Sequence, residues 1–242
     1  MQNGLYVALS AQVAMEKRLN AVAQNVANLS TSGYRAEDTK FSALLAQASK
    51  GPVAFASSGD TYISQRAGPV TKTDSPLDVA VQGQAWLAVR GASGPVYTRD
   101  GRMTMDAMGQ LRTLTGQAML DPGGAPILLD PQAGPPTIGR DGSVSQGVNQ
   151  VGALGLFTLD PNSTLRRAEP NGVTSSQPAQ AVQDFTRIGV IQGHIEGANV
   201  NPVLEMTKLI TIQRAFESAA TLTAETESSF QGAIRSLSPQ GS

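Results

Sequence analysis

The 242-residue sequence predicts an α+β fold: long N- and C-terminal coiled-coil helices packed together, with an inserted all-β domain between them. Three observations carry this reading. Both ends of the chain repeat apolar residues at alternating steps of three and four. The middle is cut by Gly, Pro and Asp into short alternating runs. The ends also differ in charge. Residues 1–50 hold five basic and three acidic side chains, and residues 194–242 hold three and five, which favours the two ends lying together.

The first helix follows from Leu5, Ala8, Gln12, Met15, Leu19, Val22, Val26 and Leu29, with no Pro among them. At 1.5 Å per residue it would run roughly 37 Å. It ends in Asn28-Leu29-Ser30-Thr31-Ser32-Gly33, a run of helix-ending and turn residues. Ala8 and Gln12 make the seam narrow, which suits close helix-on-helix packing; the plain alternative is a helix on its own domain's core. The second helix opens at Asn201-Pro202, an N-cap followed by Pro at the first helical position, with Glu205 in the first turn. Its seam is Leu209, Ile212, Phe216, Ala219, Thr223, Thr226, Phe230, Ala233 and Leu237, roughly 52 Å of helix from Val203 on. The Thr and Ala in that seam are weak, so the helix needs further neighbours to complete its burial.

Between the helices lie an arm and a β module. Phe41, Leu44 and Leu45 predict one or two helical turns before Gly51-Pro52. Leu77–Val81 alternates, Trp86–Val89 does so in part, and Arg102–Met105 follows. Asp100-Gly101 and Asp141-Gly142 each predict a two-residue type I′ hairpin. The chain thus divides into a terminal helical assembly domain (1–30 plus 201–242), a connecting arm (31–75) and a β domain (76–195).

Composition narrows the function. Lys+Arg is 18 against Asp+Glu 19, with no basic excess for nucleic acid and no polybasic run for an anionic membrane. There is no Cys and one His, His194, which removes disulfides, thiolate chemistry and multi-histidine metal sites. No run of about 18 apolar residues is present for membrane insertion. Residues 1–15 hold no Lys or Arg, so no secretory signal is expected. No hydrolase, P-loop or metalloprotease motif occurs, and neither an enzyme nor a cofactor or metal is expected. The acidic pairs Asp100/Asp106 and Asp121/Asp130 follow turn grammar rather than a glycosidase dyad. The amides Gln24, Asn25 and Asn28 stand out beside the first helix end. They read either as a generous cap or as a polar contact fixing register between packed helices.

Five stretches carry a family resemblance. Ala23-Gln24-Asn25-Val26-Ala27-Asn28-Leu29-Ser30-Thr31-Ser32-Gly33-Tyr34-Arg35 resembles the A-N-N-I-A-N-x-x-T-x-G-[FY]-[KR] signature of bacterial flagellar rod and hook proteins. Ser75–Gly83 is similar to their P-L-D-V-A-I-x-G strand, and Tyr97-Thr98-Arg99-Asp100-Gly101 to their Y-T-R-D-G segment. Gly197–Met206 and Gln213–Glu217 resemble two pieces of their C-terminal helix. Gln24 departs from the usual first Asn, and Ala85-Trp86-Leu87 stands where G-F-F is common. Length and the opening Asn3–Ser10 point to the proximal-rod type.

The resemblance implies a structural subunit of the flagellar basal-body rod across the periplasm. Its partners would be copies of itself and other proximal and distal rod subunits, with the flagellar type III export apparatus in transit. The alternatives are a distal rod protein and a β-fold hydrolase with helical oligomerisation arms. Seams and motifs together nominate Leu5, Met15, Leu19, Val22, Asn25, Val26, Asn28, Leu29, Asn199, Asn201, Met206, Leu209, Ile212, Phe216 and Phe230 as subunit-packing residues.

Overall fold

The computed structural model describes residues 2–40, 43–48, 51–56 and 60–237. They fall into two compact units, one of residues 1–27, 37–62 and 201–242, the other of residues 28–36 and 63–200.

The first unit holds both helices, α1 (Gln2–Ala27) and α2 (Pro202–Leu237), and four short strands. β1 (Glu37–Lys40) pairs with β4 (Asp60–Ile63), and β2 (Ala43–Ala48) pairs antiparallel with β3 (Gly51–Ala56). α1 and α2 lie against each other, and β1 and β3 lie against α1. Asn201 caps α2 as its sequence predicts: its Oδ1 accepts the Leu204 amide at 3.1 Å and its carbonyl accepts that of Glu205 at 3.0 Å.

The predicted fold class is overturned here. Nineteen strands against two helices among the described residues make this a mainly β chain, and the helices do not form a coiled coil. The fully buried side chains of α1 are Ala14, Ala21, Val22 and Asn25, and those of α2 are Glu205 and Ile212, among those described. Only Val22 and Ile212 belong to the predicted seams. Leu9, Val13, Ile210 and the seam residue Phe216 are exposed. The physical reason is the composition of the contact face. Alanines let the backbones approach, and an amide and a carboxylate occupy positions where interdigitating apolar knobs would stand.

The arm differs too. Residues 43–48 and 51–56 pair as antiparallel strands, with Leu44 opposite Phe55 and Ala46 opposite Val53, not as helical turns, and Phe41 lies outside the described residues. Gly51-Pro52 stops a helix, and Val53 and Phe55 favour a pleated partner, so pairing overrides the Ala/Leu helix propensity.

The second unit contains fifteen strands: β5 (Val70–Lys72), β6 (Val79–Gln82), β7 (Trp86–Arg90), β8 (Pro95–Thr98), β9 (Met103–Met105), β10 (Leu111–Thr113), β11 (Thr137–Ile138), β12 (Ser143–Gln146), β13 (Asn149–Ala153), β14 (Leu156–Thr158), β15 (Leu165–Ala168), β16 (Gly172–Ser175), β17 (Gln180–Ala181), β18 (Gly189–Gln192) and β19 (His194–Glu196). Its centre is a six-stranded sheet in the order β15-β16-β8-β7-β14-β17. β11-β12-β13 form a second sheet, and β9-β10, β6-β18 and β5-β19 are antiparallel ribbons.

β7 explains why Trp86–Val89 alternates only in part. Leu87 and Val89 enter one apolar cluster with Val79, Leu111 and Val144, while Trp86 and Ala88 enter another with Tyr97, Leu159 and Val173. A central strand covered on both faces has no polar side to show.

The two Asp-Gly pairs part company. At Asp141-Gly142 a hairpin does form, Ile138 facing Val144, but its turn spans Gly139–Gly142 and only Gly142 takes positive φ (84°). At Asp100-Gly101 there is no hairpin. β8 pairs with β7 and β16, and the chain passes on to β9, which pairs with β10. Asp100 accepts the Arg102 amide at 3.2 Å, and the Gly101 carbonyl accepts the Val79 amide at 3.0 Å. A Cβ at Gly101 would collide with the Val79 carbonyl, so this glycine serves close approach, not a turn.

Candidate functional site

Within the second unit, three motif stretches distant in sequence meet at one place. Gly33 takes φ 69°, and a Cβ there would collide with the Asp100 amide. Its own N–H donates to the Glu196 carbonyl at 2.7 Å. That turn carries Arg35 inward to the Glu196 carboxylate at 2.6 Å, while Arg99 reaches the other carboxylate oxygen at 3.2 Å. All three side chains are at most 2% exposed. Glu196 Oε1 also accepts the Gly68 amide at 2.7 Å.

The arginines have further partners. Arg99 donates to the Val81 carbonyl at 2.8 Å and to the Gly83 carbonyl, and Arg35 donates to the Arg66 carbonyl. Both guanidiniums lie over the Trp86 ring, 5.7 and 5.6 Å from its centroid. Burial, then the neighbouring Arg35 charge, pulls the Arg99 pKa down to about 10 against the pull of Glu196. Burial also lowers Arg35, opposed by Glu196. Two cations and one anion, sealed from water, hold together the segment that leaves α1, the β8 end and the segment that leads to α2.

Asn199 and Asn171 finish the junction. Asn199 Oδ1 accepts the Ala36 amide at 2.6 Å, and its Nδ2 donates to the Arg66 carbonyl at 2.7 Å. Asn171 Nδ2 donates to the Ser32 carbonyl at 2.7 Å.

The first unit holds a separate polar network. Asn25, 1% exposed, exchanges two 2.8 Å bonds with the Glu37 backbone and donates to Glu205 Oε2 at 3.1 Å. Glu205 Oε1 meets Lys208 Nζ at 2.7 Å, and Lys208 reaches Asp38 at 3.3 Å. Burial works against the Lys208 charge. Its bond to Glu205 and the nearby Asp38 and Glu205 charges outweigh that and hold its pKa above the usual lysine value. Asn25, Glu205 and Lys208 thereby fix the register of α1, β1 and α2.

The nominated packing residues take different places. Val22, Asn25 and Ile212 are buried within the chain. Met15, Leu19, Val26, Leu29 and Leu209 are half-buried. Asn28 forms a turn with Thr31 (3.1 Å), Asn199 sits in the junction, and Asn201 is the α2 cap. Met206 (50%) and Phe216 (40%) face outward. The side chains of Leu5 and Phe230 lie outside the described residues. Sequence reasoning missed Arg35, Glu196, Arg99 and Trp86 as one cluster. Their signal was present: buried charges are rare, and both arginines stand inside quoted motifs of a chain with only 15% charged residues.

These motif residues hold backbone to backbone across distant segments, and the comparisons with known proteins say which class of protein carries them. Three family models match: "Flagella basal body rod protein" over residues 5–35, "Flagellar hook protein FlgE/F/G D1 domain" over 80–146 and "Flagellar basal body rod FlgEFG protein C-terminal" over 191–235. The chain is 47% identical over 237 residues to the flagellar basal-body rod protein FlgF of Mesorhizobium japonicum, with 98% of each chain covered. It is 41% identical to that of Rhizobium meliloti and 39% identical to that of Caulobacter vibrioides, again with 98% of each chain covered. The chain belongs to the flagellar basal-body rod protein family, FlgF type. It is a structural component of the basal-body rod, not an enzyme, and assembles with other axial flagellar proteins.

Proposed function

We propose that the chain is a proximal-rod subunit. It packs with copies of itself and with other proximal and distal rod subunits into a helical tube that transmits torque across the periplasm. In this reading residues 1–30 and 201–242 are the assembly domain, residues 31–75 the connecting arm and residues 76–195 the β domain. Passage through the flagellar type III export apparatus belongs to the same reading and rests on the family resemblance.

One observation carries the proposal. α2 presents apolar side chains on both sides while burying only one. Ile212 is 4% exposed, whereas Val203, Met206 and Ile210 lie on one opposite stripe at 75%, 50% and 51%. Leu9 and Val13 do the same on α1 at 54% and 41%. Helices that expose this much apolar surface fit an interface. The outward residues Met206 and Phe216, with the half-buried Met15, Leu19, Val26, Leu29 and Leu209, then pack between subunits. A charge buried there recurs in every copy of the tube.

Ile210→Asp in the full chain tests this. The variant stays soluble with unchanged circular dichroism and fails to restore swimming to cells lacking the parent. Swimming at the parental rate would remove α2's outward face from the interface.

A further inference from the structure

The buried triad of the second unit has a charge imbalance and an uneven distribution along the chain. Arg35 and Arg99 are both cationic, and Glu196 is the one anion paired with them. Arg35 Nε and Nη2 and Arg99 Nε are buried without a hydrogen-bond partner among the described residues. Glu196 is the one opposite charge on these cations; their other partners are neutral, the Val81, Gly83 and Arg66 carbonyls and the face of Trp86, the chain's single Trp. Arg35, Trp86 and Arg99 are all synthesised well before Glu196.

The segment ending at Glu196 brings more than a charge. β18 pairs with β6 over Val79–Gln82, and β19 pairs with β5 over Val70–Lys72. Val190 of β18 fills the same apolar cluster as Val79, Val81 and Leu87. The Glu196 backbone and side chain take the Gly33 and Gly68 amides. Before this segment arrives, two guanidiniums face each other without an anion, β5 and β6 lack their ribbon partners, and two amides lack acceptors.

We infer that Arg35, Glu196 and Arg99 form a completion latch: the second unit closes only when the β18–β19 segment has entered, and Trp86 reports whether it has. The mismatch of two cations to one anion makes the latch one-sided. Losing Glu196 leaves two buried positive charges, while losing Arg35 leaves a neutral pair. A chain that has not yet presented residues 189–196 therefore stays open. The inference stands apart from the assembly reading, because its readouts come from the isolated protein.

The test uses the full chain in four versions: parent, Glu196→Gln, Arg35→Met and the double variant. Glu196→Gln lowers Tm by roughly 10 °C and shifts Trp86 emission to the red. Arg35→Met lowers Tm by about half as much. Adding Arg35→Met to Glu196→Gln raises Tm again, a rescue that plain loss of packing does not give. A Glu196→Gln chain that fails to fold while Arg35→Met folds counts in favour as well. Tm within about 2 °C of the parent for Glu196→Gln, or a double variant less stable than Glu196→Gln alone, overturns the latch. Native-state hydrogen exchange on the parent gives a second reading. The Gly33, Gly68 and Gly197 amides, the last donating to the Pro69 carbonyl at 2.8 Å, open together, with one denaturant dependence; separate openings would contradict a single closing event.

Discussion

The two units differ in how completely they are sealed. In the second, the charged junction is at most 2% exposed, and Leu87, Val89, Leu111 and Val144 are at 0%. In the first, α2 buries one large apolar side chain fully among those described, Ile212, and its polar network stays partly open, with Lys208 26% and Asp38 37% exposed. The first pattern belongs to a module that satisfies itself. The second belongs to a surface whose remaining burial comes from outside the chain. The lesson is that rigidity and assembly are assigned to different residues, so changes in one should leave the other readable.

Leu87→Ala should have the largest effect on stability. It removes a fully buried side chain from β7 and leaves a cavity, costing about 2–5 kcal/mol in urea titrations followed by Trp86 emission. An effect under about 1 kcal/mol would mean the sealed core is less closely packed than its burial indicates.

Phe216→Asp should reverse the balance. At 40% exposure the side chain gives the free protein little, so its Tm should move by only a few degrees. Swimming, measured on soft agar, should nonetheless be lost. A large fall in Tm would place Phe216 in the chain's own core.

Asn25→Ala probes the register of the first unit. It leaves the Glu37 amide and carbonyl without their partner and strips a donor from buried Glu205, at about 1–3 kcal/mol. Helical circular dichroism should fall first, ahead of the Trp86 signal of the second unit.

Acid gives a smaller effect. The Arg112 bond, with the Gln110 and Met108 amides, holds the Asp106 carboxyl below the usual carboxylate range. A lowered folded pKa means that the contribution is whole above the unfolded carboxyl's range and is lost as pH falls from there through the lower folded value. Asp106→Asn should therefore lower Tm slightly at pH 7 and flatten the acid limb of a Tm-versus-pH curve, parent and variant converging at low pH. Smallest of all, Arg166→Ala on the exposed side of β15 should cost under about 0.5 kcal/mol and leave motility intact.

Sequence carried local grammar well. Asn201-Pro202 marked the start of α2, and Gly142 marked a turn, because caps and positive-φ residues act over a few neighbours. It misjudged what depends on distant partners. The heptad spacing could not report that Asn25 and Glu205 occupy the contact between the helices, so a coiled coil was expected where a polar register contact stands. Asp100-Gly101 has hairpin composition, yet β8 finds β16 and Gly101 finds Val79. The pairing of residues 43–48 with 51–56 was hidden by Ala and Leu, whose helix propensity yields to it. The Arg35–Glu196–Arg99 cluster joins segments that no local window contains.

The contrast between a sealed unit and an unfinished one is tested most directly by native-state hydrogen exchange on the free protein. Amides of Leu87, Val89 and Leu111 should exchange only with global unfolding. Those of α2 from Leu209 to Ala220 should exchange at least about a hundredfold faster, through local opening. Equal protection in α2 and in β7 would contradict the account, because the helices would then need no partner to complete them.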